Sequence, residues 1–187
     1  FSRESPVTDG ACLSCEGRQA MVVLQHEGQP PRPVCPVSDI QLRGDHNVSN
    51  VLAACAIADA VGVSIEAMRE VATTFTGVEH RLELVGEVRG ARYYNDSIAT
   101  SPERLVAALK SFDEPIVLLA GGRDKHLSWD EAGRLMLERT RHVVLFGEAV
   151  ELIAHALEAA VGEQRAVSRP MLHRCVTLAD AVAVAAR

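Results

Sequence analysis

A chain of 187 residues, 48% of them hydrophobic, has the apolar content for one packed domain or two small ones. Its net charge of -6 and the absence of a basic stripe argue against a nucleic-acid partner. No apolar run is long enough to span a bilayer, so no membrane association is expected either.

The chain opens on Phe1 instead of Met and shows no secretory leader, which predicts a piece of a longer polypeptide. Five cysteines, Cys12, Cys15, Cys35, Cys55 and Cys175, are scattered and odd in number. That usage predicts reduced thiols and a cytoplasmic setting. Cys12 and Cys15 have the spacing of a zinc half-site, but the second half-site is missing. Two half-buried strand or turn cysteines are expected, and no metal site.

From Phe1 to about Arg43 the text is turn-broken and β-leaning, with Met21 to Leu24 as a strand. No Gly-rich phosphate loop occurs there. At Leu42 the character changes. Gly44-Asp45-His46-Asn47-Val48-Ser49-Asn50 runs into an Ala-rich helix stopped by Gly62. Ser64 caps a second helix, expected to bury Ile65, Met68, Val71, Ala72 and Phe75 and to close at Gly77. His46, Asn47 and Asn50 therefore lie in or near the first turn of a helix, with the two amides projecting on one side. An amide offers the donor and acceptor that a purine edge requires, and it equally serves as a helix cap. His46 reads as a structural imidazole, not a metal ligand or base.

Gly77-Val78-Glu79-His80-Arg81 is a polar joint, and a domain boundary is expected after residue 79. A hairpin turning at Arg89-Gly90 follows. It delivers the chain to Asn95-Asp96-Ser97-Ile98-Ala99-Thr100-Ser101-Pro102-Glu103, read as strand, polar loop and helix start. Free amides and a positive dipole end suit an anionic ligand there. Arg81 carries a fork suited to a phosphate, a ribose or a surface salt bridge.

A helix from Pro102 to about Phe112 leads into Ile116 to Ala120, a continuous apolar run of the kind buried in parallel sheets. Gly121-Gly122-Arg123-Asp124-Lys125 ends it, and Lys125 supplies a mobile positive charge. Ser128 and Glu131 are spaced as a capping box. Val143 to Phe146 is the next strand, Val150 to Val161 a helix stopped by Gly162, and Leu172 to Cys175 a short strand. Thr177 caps a last helix with Leu178, Ala181, Val182 and Ala185 inward. The alternation predicts an α/β fold with a mainly parallel sheet, whose ligands bind beyond the carboxyl ends of strands. Asp96 to Thr100 and Gly121 to Lys125 both fall at strand ends and can face one pocket.

Four motifs, Gly44-x-His46-Asn47-x-x-Asn50, Gly77-Val78-x-His80-Arg81, Asn95-Asp96-Ser97-x-Ala99-Thr100 and Gly121-Gly122-x-Asp124-Lys125, stand in register. With them the chain resembles the Mur ligases of peptidoglycan synthesis, above all the branch that adds D-glutamate to UDP-N-acetylmuramoyl-L-alanine. The resemblance implies that residues 1–79 end a central P-loop-type ATPase domain. Residues 80–187 would be most of a Rossmann-like C-terminal domain that binds the amino acid. It implies an ATP-dependent, acyl-phosphate-forming ligase, monomeric when complete and inactive as this piece alone. The phosphate loop and the Mg2+ ligands are expected upstream. Asn47 and Asn50 would hold adenine, Arg81 and Asp96 the ribose and phosphates, and Thr100 and Lys125 the D-glutamate carboxylates. His46, His80 and Ser97 would support them. Many relatives carry Lys where this chain has Ile98, which shifts anion recognition toward Lys125. The alternatives are a sister or folate-type ligase taking another amino acid, and a non-catalytic nucleotide-binding module on the same scaffold.

Overall fold

The computed structural model of the chain describes residues 1–14, 19–123, 125–163 and 169–187. Cys15, and with it the Cys-x-x-Cys spacing, lies outside them, as does Asp124. Two compact units form, Phe1–Asn95 and Asp96–Arg187. The hairpin that follows residue 79 thus counts with the first unit.

In the first unit β1 (Gly10–Ser14), β2 (Met21–Gln25) and β3 (Arg32–Pro36) make an antiparallel meander in the order β1-β2-β3. Helices α1 (Asp45–Ala60) and α2 (Ile65–Thr74) cover it. Ala11, Val22 and Leu24 from the sheet pack with Leu52, Cys55, Met68 and Ala72 from the helices. Burial removes the Cys55 thiol from water and pushes its pKa from 9.0 to about 11, with neighbouring Cys35 adding to the effect. Ser64 caps α2 as anticipated, its hydroxyl accepting the Ala67 amide at 3.3 Å. The buried stripe of α2 is narrower than the apolar pattern predicts: Met68 and Ala72 are covered, while Val71 and Phe75 are exposed. Residues four apart stack on one line of a helix, and those three apart fall beside it. The helix also ends at Thr74, before Gly77 is reached.

The hairpin comprises β4 (Glu83–Val88) and β5 (Ala91–Asn95). Its two turn residues, Arg89 and Gly90, have φ of 52° and 81°. Two positive φ values in a two-residue loop match the right-handed twist of the strands.

In the second unit β6 (Ile116–Gly121), β7 (Thr140–Phe146) and β8 (Met171–Arg174) are parallel, in the order β6-β7-β8. With them are α3 (Pro102–Lys110), α4 (Asp130–Arg139), α5 (Val150–Glu163) and α6 (Leu178–Ala185). The expected α/β alternation is present. Central β7 buries Val143, Val144 and Leu145 completely, whereas β6, with one strand neighbour among the described residues, leaves Val117 43% exposed. Two similar apolar runs thus differ because of their place in the sheet. A Cβ on Gly121 would stand 2.2 Å from the Phe146 carbonyl oxygen, so glycine permits the approach of β6 to the end of β7. Gly133 does the same for α4 against α5, where a Cβ would meet the Ala156 carbonyl oxygen at 2.5 Å.

Three local expectations change. Ser128 and Glu131 form no capping box: the N-cap of α4 is Trp129, the Ser128 hydroxyl donates to Asp130 Oδ2 at 2.9 Å and accepts the Asp130 amide at 3.4 Å, and Glu131 pairs with Lys110 at 2.8 Å. Gly162 lies inside α5, not beyond it. On α6 only Ala181 is fully buried, with Leu178 and Val182 exposed. The Thr177 cap holds and is a full box, with the Thr177 amide donating to Asp180 Oδ2 at 3.2 Å.

Candidate functional site

In the first unit the site residues cluster where α1 starts and where the hairpin closes. Asn47 Nδ2 donates to the Arg43 carbonyl at 2.7 Å, and Asn50 Nδ2 donates to Asn47 Oδ1 at 3.1 Å. Asn47 is therefore engaged on both sides as a local brace, and exposed Asn50 is the outer end of the relay. Neither amide caps α1, whose N-cap position is Gly44 and receives no side-chain bond. His46 sits half-buried in the same turn. The Arg43 guanidinium lies over the Tyr94 ring of β5, 5.4 Å from its centre.

At the joint, Arg81 is exposed between two residues with left-handed backbone, His80 (φ 65°) and Leu82 (φ 47°). The His80 amide donates to Glu83 Oε2 at 2.8 Å, and Asn95 Nδ2 meets His80 Nδ1 at 2.8 Å.

In the second unit Asp96 is half-buried and its carbonyl accepts the Ala99 amide at 2.9 Å. Ser97, Ile98 and Thr100 are exposed. Arg104, one turn into α3, reaches back and donates to the Ile98 carbonyl at 3.0 Å. Ser101 occupies the N-cap position in extended conformation without capping the backbone. Its hydroxyl turns to Glu103, whose carboxyl is held below the usual range first by its own backbone amide and then by Ser101. Among the described residues the strand preceding this loop is not part of the parallel sheet, since β5 pairs with β4 alone. The loop leads directly into α3, and Lys125 is exposed beyond the carboxyl end of β6.

A cleft of about 560 Å³ opens at the opposite, amino rim, between Pro115, Thr140 and Met171. Arg139, Arg141 and Arg169 line it together with Asp113, Glu114 and Glu138. Matched charges leave it no net pull on an anion. Among the described residues no three His, Cys, Asp or Glu side chains converge to hold a metal ion.

Arg43, Tyr94, Asn95 and Arg104 belong to these clusters, yet the motifs assign none of them a role. For Arg104 the one legible signal is its position three residues after the loop. For Arg43 and Tyr94 there is none, because their contact spans the fold.

The sequence pattern of the family "Mur ligase, glutamate ligase domain" matches residues 80–187. A UDP-N-acetylmuramoylalanine--D-glutamate ligase of Clostridium novyi is 42% identical over 172 residues, covering 91% of this chain and 35% of that protein. The enzyme of the same name from Acetivibrio thermocellus is 40% identical over 188 residues, 100% of this chain and 39% of that protein. The chain thus spans well under half the length of these curated relatives. Among solved structures, Mycobacterium tuberculosis folylpolyglutamate synthase complexed with ADP superposes with a TM-score of 0.64 at 20% identity, over 95% of this chain and 40% of that one. MurF from Acinetobacter baumannii gives 0.60 at 19% identity, over 94% and 44%. These likenesses establish a common fold.

Proposed function

We propose, from the premise that this chain belongs to the Mur ligase family, that it is part of an ATP-dependent ligase joining D-glutamate to UDP-N-acetylmuramoyl-L-alanine. The observation that carries the site assignment is exposure: none of His46, Asn47, Asn50, His80, Arg81, Asp96, Ser97, Thr100 and Lys125 is buried. Residues selected for packing would be. Identity of 40–42% to relatives named for D-glutamate, against 20% to a folylpolyglutamate synthase, favours D-glutamate over a folate-type substrate.

On this reading Asn50, braced by Asn47, holds the adenine edge, while Arg81 and Asp96 hold ribose and phosphates. Thr100 and Lys125 receive the carboxylates of D-glutamate, with His46, His80 and Ser97 in support. The muramoyl-alanine carboxylate attacks the γ-phosphorus of ATP and ADP departs, leaving an acyl phosphate. The amine of D-glutamate then attacks that carbonyl and phosphate departs as the amide forms. Positioning and charge stabilisation supply most of such a rate gain. The nucleotide, Mg2+ and the sugar-nucleotide substrate also need residues of a longer polypeptide. In it residues 1–79 end the central ATP-binding domain and 80–187 form the amino-acid-binding domain, a division supported by the family match starting at residue 80. The complete enzyme works as a monomer in the cytoplasm, where its nucleotide substrates are made.

The test is phosphate release by the full-length enzyme. It should require ATP, UDP-N-acetylmuramoyl-L-alanine and D-glutamate together. Equal turnover with another amino acid would transfer the assignment to a sister ligase, and no turnover with any would leave a binding module.

A further inference from the structure

Arg81 is exposed and sits in a turn that sterics disfavour. The residues on either side of it, His80 and Leu82, both adopt φ values in the left-handed region, at 65° and 47°. Side chains with a Cβ persist there only where their surroundings hold them. Around His80 that hold is explicit. Its amide donates to Glu83 Oε2 at 2.8 Å, and its ring Nδ1 meets Asn95 Nδ2 at 2.8 Å and faces the Glu83 carboxylate at 3.7 Å. The Arg81 amide closes the turn on the Val78 carbonyl at 3.3 Å.

Asn95 is the last residue of β5, and the residue before it braces the other half of the cluster. Tyr94 carries Arg43 over its ring, Arg43 accepts Asn47 through its carbonyl, and Asn47 accepts Asn50. The end of one strand therefore supports both the amide relay at α1 and the arginine turn.

We propose that Asn95 is a positioning residue for nucleotide binding, locking the His80 ring so that the strained turn presents Arg81 to the phosphates or ribose. Asn95 itself touches no reacting atom. The inference rests on the reading of Arg81 as a nucleotide contact.

Steady-state kinetics of the full-length ligase test it, with Asn95→Ala, Asn95→Asp, Arg81→Ala and the Asn95→Ala/Arg81→Ala double variant. Asn95→Ala should raise KM for ATP about 10-fold, leaving KM for D-glutamate and the thermal midpoint near their starting values. Asn95→Asp, nearly isosteric but without the Nδ2 donor that His80 Nδ1 accepts, should reproduce the loss and guards against a misfolded Ala variant. In the double variant the Asn95 change should add little to Arg81→Ala, because both act through one group. Additive effects, or a fall in kcat with all KM values unchanged, would overturn the positioning role while leaving Arg81 as a contact. If Arg81→Ala leaves KM for ATP unchanged, the reading of Arg81 fails and this inference with it.

Discussion

The two units prepare their polar side chains in opposite ways. In the first, Asn50, Asn47, Arg43 and Tyr94 form one connected chain of contacts, and Asn95, His80 and Glu83 form another. Each group is oriented by a neighbour, so little ordering remains to be done when a ligand arrives. In the second, Thr100 and Lys125 stand exposed on loops, and the rigidity lies behind them in the buried middle of β7. On the proposed reading, pre-paired amides suit an adenine edge, which demands a fixed donor and acceptor pattern. A flexible ammonium suits a carboxylate, which demands charge more than direction.

That contrast can be broken most forcefully at its scaffold. Leu145→Ala in the full-length protein should cost about 2–5 kcal/mol in denaturant unfolding, because Leu145 is wholly buried among α4, α5 and β7. The same truncation at exposed Leu84 of the hairpin should stay within about 0.5 kcal/mol. Comparable losses at both would mean that the hairpin is packed in a way its exposure does not reveal.

Next comes the loop charge. Lys125→Ala should lower kcat/KM for D-glutamate by about 10- to 100-fold with KM for ATP little changed, the worth of one charge-assisted hydrogen bond. Unchanged D-glutamate saturation in the variant would remove Lys125 from the site.

A smaller effect separates two helix starts in the second unit. Thr177→Ala breaks a complete capping box and should cost about 1 kcal/mol. Ser128→Ala, where the hydroxyl serves exposed Asp130, should cost under about 0.5 kcal/mol. Both are read from urea midpoints.

The subtlest test is alkaline and sets a thiol of the first unit against one of the second. Cys55 is held as the neutral thiol, its pKa raised from 9.0 to about 11. A raised folded pKa contributes stability fully present below pH 9.0 and lost as pH rises through about 11. A thiol-alkylating reagent at pH 9 should therefore modify half-exposed Cys175 well before Cys55. Equal rates, followed by mass spectrometry of peptides, would contradict the burial of Cys55.

Much of this was legible in one dimension. Ser64, Thr177, the Arg89-Gly90 turn and the β7 run all act through neighbours a few residues away, and local chemistry dictates what they do. The site motifs were legible for the same reason, since each is a short string on one loop or helix start. Ser128 misled because Asp130, two residues on, competes for its hydroxyl, and sequence spacing does not rank competing acceptors.

What required tertiary structure was every choice between equivalent partners. Ile116 to Ala120 and Val143 to Leu145 have the same apolar character, and only strand order among the described residues gives the first one strand neighbour and the second two. Val71 and Phe75 are apolar at helical spacing, and only the docking of α2 on β3 leaves them outside the buried stripe. Asn95 and Tyr94 make their contacts with residues 15 and 51 positions earlier, His80 and Arg43. Local propensity and hydrogen-bond chemistry settle what a segment forms. Which surfaces then meet is a matter of packing between distant segments, and no short stretch of sequence contains it.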